Sequence, residues 1–177
     1  MNEEEKVVLT YTKDILVPII KRVKTYLDEE MNIDVFNTSE ITCPKNIHLK
    51  KNTVMIGTTG SIKLIISLGF DENLLKKMVE SFLGDENITD YELSAVRDSV
   101  ACEVTNTIIG NAIDNPIDNS DIYITPPVLV CSGKTLNKEK NSKFAFVSFI
   151  TKYGEIELTA VGPKEQFENK LEFTEDD

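Results

Sequence analysis

Residues 54–70, VMIGTTGSIKLIISLGF, carry the clearest β signal in the chain. Residues 54–57 and 62–70 are apolar and rich in β-branched side chains, with GTTGS between them. Two such runs joined by a short polar, glycine-bearing segment predict an antiparallel hairpin. A loop that cradles phosphate would need wider glycine spacing and a Lys after its last Gly, and GTTGS has neither. A hairpin cannot bury its own apolar face, so the rest of the chain must supply more strands and a covering layer.

More strands are predicted towards the C-terminus. Residues 144–152 and 155–161 alternate apolar and polar side chains and join at Lys152-Tyr153-Gly154-Glu155, where Gly154 can take positive φ. DIYITPPVLVCSG is extended up to its double proline, Pro126-Pro127, which suits a strand edge or entry. KTLNKEKNSK is predicted as a polar loop, and residues 46–48 as a connection. MNIDVFNTSEI turns extended, and the acidic tail from about residue 168 is predicted to fray.

The covering layer is predicted as three helices. In residues 3–30, Val7, Ile15, Ile19, Val23 and Leu27 recur at spacings of four and its multiples, widened by Leu16, Ile20 and Tyr26. Pro18 predicts a kink or break near Val17. DENLLKKMVESFLG opens on an acidic pair and closes on Gly84, which is helix punctuation. NITDYELSAV starts a third helix with Asn87 or Thr89 as cap, and Thr89 with Glu92 has the spacing of a capping box. That helix runs to Ala112 or Ile113, before DNPIDNSD breaks the pattern.

The order is helix, strands, two helices, strands. Clustered rather than alternating elements predict an α+β fold, with an antiparallel or mixed sheet packed against long helices, and argue against a dinucleotide-binding α/β domain. A length of 177 residues without a long linker predicts one domain over residues 1–177.

Composition narrows the function. The formal net charge is −11, from 19 basic and 30 acidic residues. A nucleic-acid binder needs a basic patch, and the short runs KRVK and LKK do not make one. No apolar run reaches the roughly 20 residues of a membrane span. The acidic start MNEEEKVV is unlike a secretory or organellar leader, which predicts a cytoplasmic protein. Cys43, Cys102 and Cys131 are scattered and odd in number, and His48 is the one histidine. They offer neither a disulfide framework nor a zinc site, and no cofactor or metal is expected in this chain.

One polar line remains. In SVACEVTNTIIGNA, residues 99–112, Ser99, Glu103, Asn106 and Gly110 fall in one narrow helical stripe. Val100, Val104 and Ile108, with Leu93 above them, fall on another face, the natural core contact. Spacing alone does not separate a solvated face from a site.

The stretch resembles the signature helix of the CheC/CheX/FliY chemotaxis phosphatases: an Asp or Ser, a Glu four residues on, an Asn three further, a Gly-Asn-Ala-like end and a downstream Pro. Here these are Ser99, Glu103, Asn106, Gly110 to Ala112 and the prolines of TPPVLV. The flanking order is similar to CheX across most of the chain. One signature, rather than two, points to CheX.

The resemblance implies hydrolysis of the aspartyl phosphate of a response-regulator receiver domain, phospho-CheY. It makes Asn106 the residue that positions water and Glu103 the one that meets a receiver lysine, with Ser99 and Gly110 at the partner contact. It implies a homodimer, and Mg²⁺ on the receiver. The competing expectation is a scaffold or flagellar-switch adaptor of the wider CheC/FliM superfamily, and after it a small-molecule-binding domain.

Overall fold

The computed structural model describes residues 15–60, 62–84, 89–113, 122–130 and 133–164. The expected features at Val7, Ser61, Asn87, DNPIDNSD, Cys131 and the tail from about residue 168 lie outside them.

Helix α1 is α-helical over residues 15–25 and continues as a π turn over Tyr26–Glu30. Ile15, Leu16, Ile19, Val23, Tyr26 and Leu27 form its buried stripe, as the periodicity predicts. The helix runs through Pro18 without the break expected near Val17. The missing N–H of a proline concerns the carbonyl four residues back, which here is residue 14, outside the described residues. The irregularity lies at the other end, where the Met31 N–H donates to the Tyr26 carbonyl and Asn32 takes φ +53.

Helix α2 spans Glu72–Leu83 and ends on Gly84 in the left-handed conformation, φ +67, whose N–H donates to the Glu80 carbonyl. Helix α3 spans Asp90–Ile113. Its start is the predicted capping box. The Glu92 N–H donates to Thr89 Oγ1 at 3.3 Å, and Glu92 Oε2 accepts from the Thr89 N–H at 3.0 Å and from its hydroxyl at 2.7 Å. Those bonds to the charged form lower the pKa of Glu92.

Nine strands are described: β1 (Val35–Thr38), β2 (Asn46–His48), β3 (Asn52–Gly60), β4 (Ile65–Phe70), β5 (Ile122–Ile124), β6 (Val128–Val130), β7 (Thr135–Asn137), β8 (Ser142–Thr151) and β9 (Gly154–Pro163). The main sheet is antiparallel, in the order β1-β8-β9-β4-β3, with β5 and β6 both on the outer edge of β3. Buried side chains from one face of this sheet, among them Ile56, Leu68, Phe149 and Leu158, share a core with all three helices.

The first hairpin differs from its predicted bounds. Strand β3 runs on through Thr58 and Thr59, and β4 begins at Ile65 rather than residue 62. The threonines extend the strand because β5 pairs with them: Thr58 faces Ile124 and Thr59 faces Tyr123. The Thr58 hydroxyl closes the turn, donating to the Ile62 carbonyl and accepting the Leu64 N–H.

Pro126-Pro127 lies on the edge, as expected. Strand β5 pairs Thr58 with Ile124, and β6 pairs Met55 with Val128, so the second strand carries one extra residue against β3. Two residues without N–H groups sit at that slip, where the ladder loses least. Thr125 bridges it, donating its N–H to the Gly57 carbonyl at 2.9 Å and accepting the Gly57 N–H at its hydroxyl.

Two segments expected as loop are paired. Residues 46–48 form β2, and Thr135–Asn137 of KTLNKEKNSK form β7, in a separate two-stranded sheet. Ile47, Leu49 and Leu136 pack with Phe144 and Phe146. These apolar contacts with the far face of the main sheet hold a strand pair too short to stand alone.

Strands β8 and β9 pair along their whole length around Lys152-Tyr153. Gly154 has φ +132, and a Cβ there would lie 2.7 Å from the Asp71 Cβ. Asp71 precedes α2, so the hairpin tip and the start of that helix touch. Asp71 Oδ2 accepts the Glu155 N–H at 2.9 Å, and Lys50 Nζ reaches Asp71 at 2.8 Å, Glu155 at 3.3 Å and Glu157 at 3.4 Å.

Candidate functional site on helix α3

Helix α3 lies on β3 and against α2. Val100, Ala101, Val104, Thr105, Ile108 and Ile109 are buried. The buried Thr105 hydroxyl donates back to the Ala101 carbonyl at 2.8 Å. The core face therefore fixes how α3 is rotated. That rotation turns Ser99 and Glu103 out to solvent and leaves Asn106 and Gly110 half-exposed. Cβ atoms three or four residues apart on a helix stand roughly 5–6 Å from each other, so Glu103 is within one turn of both Ser99 and Asn106.

The four residues differ in their surroundings. Glu103 Oε1 stands 3.5 Å from the Thr107 hydroxyl, at the limit of a hydrogen bond. Gly110 faces the sheet edge, where an added Cβ would lie 3.6 Å from Ile124 Cδ1, an ordinary contact. The space at Gly110 would therefore accept a methyl group. Arg97, near the core face, is half-buried and donates from Nε to Asp98 Oδ1 at 3.1 Å.

Helix α1 carries a charged and aromatic group that the sequence pattern hides. Tyr26 is 3% exposed, and its phenol is pushed up to about 12. Burial is the largest cause; the Glu30 carboxylate adds to it, the Arg22 guanidinium opposes it, and the Glu103 carboxylate adds again. Arg22 lies over the ring, 5.3 Å from its centroid, and pairs with Glu30. Arg22, Tyr26 and Glu30 thus form one charged and aromatic group on α1, and the field of Glu103 on α3 reaches its phenol. In the sequence Tyr26 is one more apolar member of the α1 stripe, and nothing in its spacing sets it apart.

Among the described residues, no group of three or more His, Cys, Asp or Glu side chains is placed to hold a metal ion. Cys43 is exposed and Cys102 half-buried, and both are thiols. The exposed His48 has Nδ1 2.8 Å from the Thr135 hydroxyl, across the small sheet. None of the described helices is long and apolar enough to cross a membrane.

A family model described as chemotaxis phosphatase CheX matches residues 52–151, more than half of the chain. A search of curated proteins found no match. Among solved structures, the chemotaxis protein CheX from Desulfovibrio desulfuricans superposes with a TM-score of 0.69 at 20% identity, over 83% of this chain and 97% of that one. A CheC-like superfamily protein from Shewanella sp. PV-4 gives 0.68 at 16% identity, over 84% and 97%. A CheX–CheY–BeF₃–Mg²⁺ complex from Borrelia burgdorferi gives 0.64 at 18% identity, over 84% and 96%. At these identities the likeness is one of fold.

Proposed function

The chain belongs to the CheX family of chemotaxis phosphatases, and from that premise we propose that it hydrolyses the aspartyl phosphate of a CheY-like receiver domain through Asn106 and Glu103. The observation that carries this reading is the exposed stripe of α3. Its core face is fully engaged, yet it presents a carboxylate and an amide one turn apart on an open surface. The Borrelia burgdorferi relative, solved with CheY, supports a receiver as the partner.

The chemistry asks little of the enzyme. An aspartyl phosphate is an acyl phosphate, and its leaving group is a carboxylate with an ordinary pKa near 4. Water attacks phosphorus in line with the breaking P–O bond. The products are inorganic phosphate, which keeps the oxygen of the water, and the free carboxylate of the receiver. A positioned water is the main requirement, so orientation supplies most of the rate. The Asn106 amide can accept a water hydrogen at Oδ1 and donate from Nδ2 to the water or to a phosphoryl oxygen. Glu103 docks to a receiver lysine, and the charge pair sets the register in which Asn106 meets the phosphorus. Ser99 and Gly110 lie along the same contact. Mg²⁺ belongs to the receiver and neutralises its phosphoryl group.

A homodimer, with two such stripes per assembly, and a cytoplasmic location complete the proposal. A scaffold role would not need the Glu103 and Asn106 pair. The test is phosphate release from a panel of aspartyl-phosphorylated receivers. Faster decay of at least one receiver is expected, and unchanged decay of every cognate receiver rejects the enzyme in favour of the scaffold.

A further inference from the structure

Glu103 is exposed and has a long, flexible side chain, so a docked carboxylate must give up rotamer freedom that the free one keeps. Helix α3 itself supplies a group that limits this freedom. The Thr107 hydroxyl stands 3.5 Å from Glu103 Oε1, one turn further along. Other hydroxyls on these helices are spent on the backbone. Thr25, Ser81 and Thr105 each donate to a carbonyl three or four residues back, the usual outlet for a helical Ser or Thr. Thr107 is directed at a carboxylate instead. We propose that Thr107 is a positioning residue for Glu103: its hydroxyl donates to the carboxylate, and that bond tightens when Glu103 meets the partner's cation.

This assignment rests on the docking role proposed for Glu103 and adds the group that holds it. The helix geometry agrees. Side chains on a helix tilt towards its N-terminus, so Thr107 leans back over Glu103. At 3.6 residues per turn, Asn106 and Thr107 lie on opposite sides of Glu103. A carboxylate held on the Thr107 side stays clear of the Asn106 amide, which must keep its donors and its acceptor for water and the phosphoryl group. Thr107 is half-buried and β-branched, so its hydroxyl has few positions to choose from, whereas Glu103 has many. A distance of 3.5 Å is long for this bond, as contacts at functional sites often are before the partner arrives. The hydroxyl engages one carboxylate oxygen and leaves the other for the partner.

Two measurements decide it. The first needs no partner. Thr107→Val keeps the branched shape and removes the hydroxyl, whereas Thr107→Ser keeps the hydroxyl and removes the methyl group. Three-bond NMR couplings report the rotamer populations of Glu103. At neutral pH these populations should spread in Thr107→Val and stay close to wild type in Thr107→Ser. Unchanged populations in Thr107→Val, or the same spread in both variants, overturn the contact. The second is phosphate release from a receiver that the wild type accelerates. Thr107→Val should raise the half-saturating receiver concentration roughly three- to tenfold, the worth of one hydrogen bond, with kcat unchanged. Thr107→Ser should restore the wild-type value, and in the Glu103→Ala background Thr107→Val should add nothing. Equal effects in both backgrounds, no rescue by Thr107→Ser, or a loss confined to kcat overturns the assignment. If the wild type accelerates no receiver, the proposed function fails by itself, and the rotamer populations still decide the contact.

Discussion

In the proposed mechanism Asn106 and Glu103 ask different things of the helix that carries them. Asn106 must hold one water in one direction, so its loss should remove catalysis without weakening attachment. Glu103 must meet a cation, so its loss should weaken attachment first. Glu103→Ala should raise the half-saturating receiver concentration about thirtyfold or more, since truncating one partner of an interfacial charge pair costs roughly 2 kcal/mol or more. Titrating receiver into the decay assay separates the two. The stripe of Ser99, Glu103, Asn106 and Gly110 was legible in the sequence because helical periodicity fixes which residues share a face. Its chemistry was not, since the same spacing serves a solvated surface. That α1 and α3 share one core could not be seen at all: they meet through tertiary packing, and Tyr26 in an aliphatic stripe reads only as core.

Between elements, the junction of β9, α2 and the segment before β3 depends on two residues. Gly154 combines φ +132 with a Cβ position only 2.7 Å from the Asp71 Cβ. Gly154→Ala should therefore cost about 1–3 kcal/mol, read as a fall in the denaturant midpoint with unchanged slope. Lys50 is the other. Burial by itself lowers its pKa, but the Asp71 hydrogen bond and the charges of Glu157, Asp71 and Glu155 outweigh burial and raise it. A raised lysine pKa means that its contribution is complete below the ordinary value of 10.5 and fades as pH rises through the folded value. Glu157 is raised as well, by burial first, with Lys50 opposing. Lys50→Met would leave three carboxylates facing one another, and the cost should be about 1–3 kcal/mol near neutral pH. Acid protonates Glu157 and relieves the repulsion, so thermal melts should show a larger deficit at pH 8 than at pH 5. An equal deficit at both would mean that Lys50 acts through packing alone.

Element boundaries followed local chemistry where that chemistry was strong. Thr89 with Glu92 and the terminal Gly84 mark helix ends by hydrogen bonds the backbone needs, and both were legible. Strands β2 and β7 were not. Each has three residues in a polar context, and what makes them strands is each other, together with Phe144 and Phe146 beneath. The run of β3 through Thr58 and Thr59 has the same origin, a partner strand supplied from far along the chain.

For the molecule as a whole, the antiparallel sheet under three helices makes one face of α3 rigid and leaves the other open. A surface built this way suits a protein substrate better than a small one, because the proposed site is a helix face. The clustered order of helices and strands already implied this architecture. Assembly was not legible in that order, and the proposed dimer is open to direct measurement. Sedimentation equilibrium should return twice the 19.9 kDa of one chain, and a monomer mass across micromolar concentrations would reject it.

The central claim is that Asn106 directs the water. Its most direct test is the decay of a cognate phosphorylated receiver at saturating concentrations of wild type and of Asn106→Ala, each first shown by circular dichroism to be folded. The account predicts that Asn106→Ala still binds the receiver and loses the acceleration by roughly a hundredfold or more. Full acceleration by a folded Asn106→Ala would contradict it.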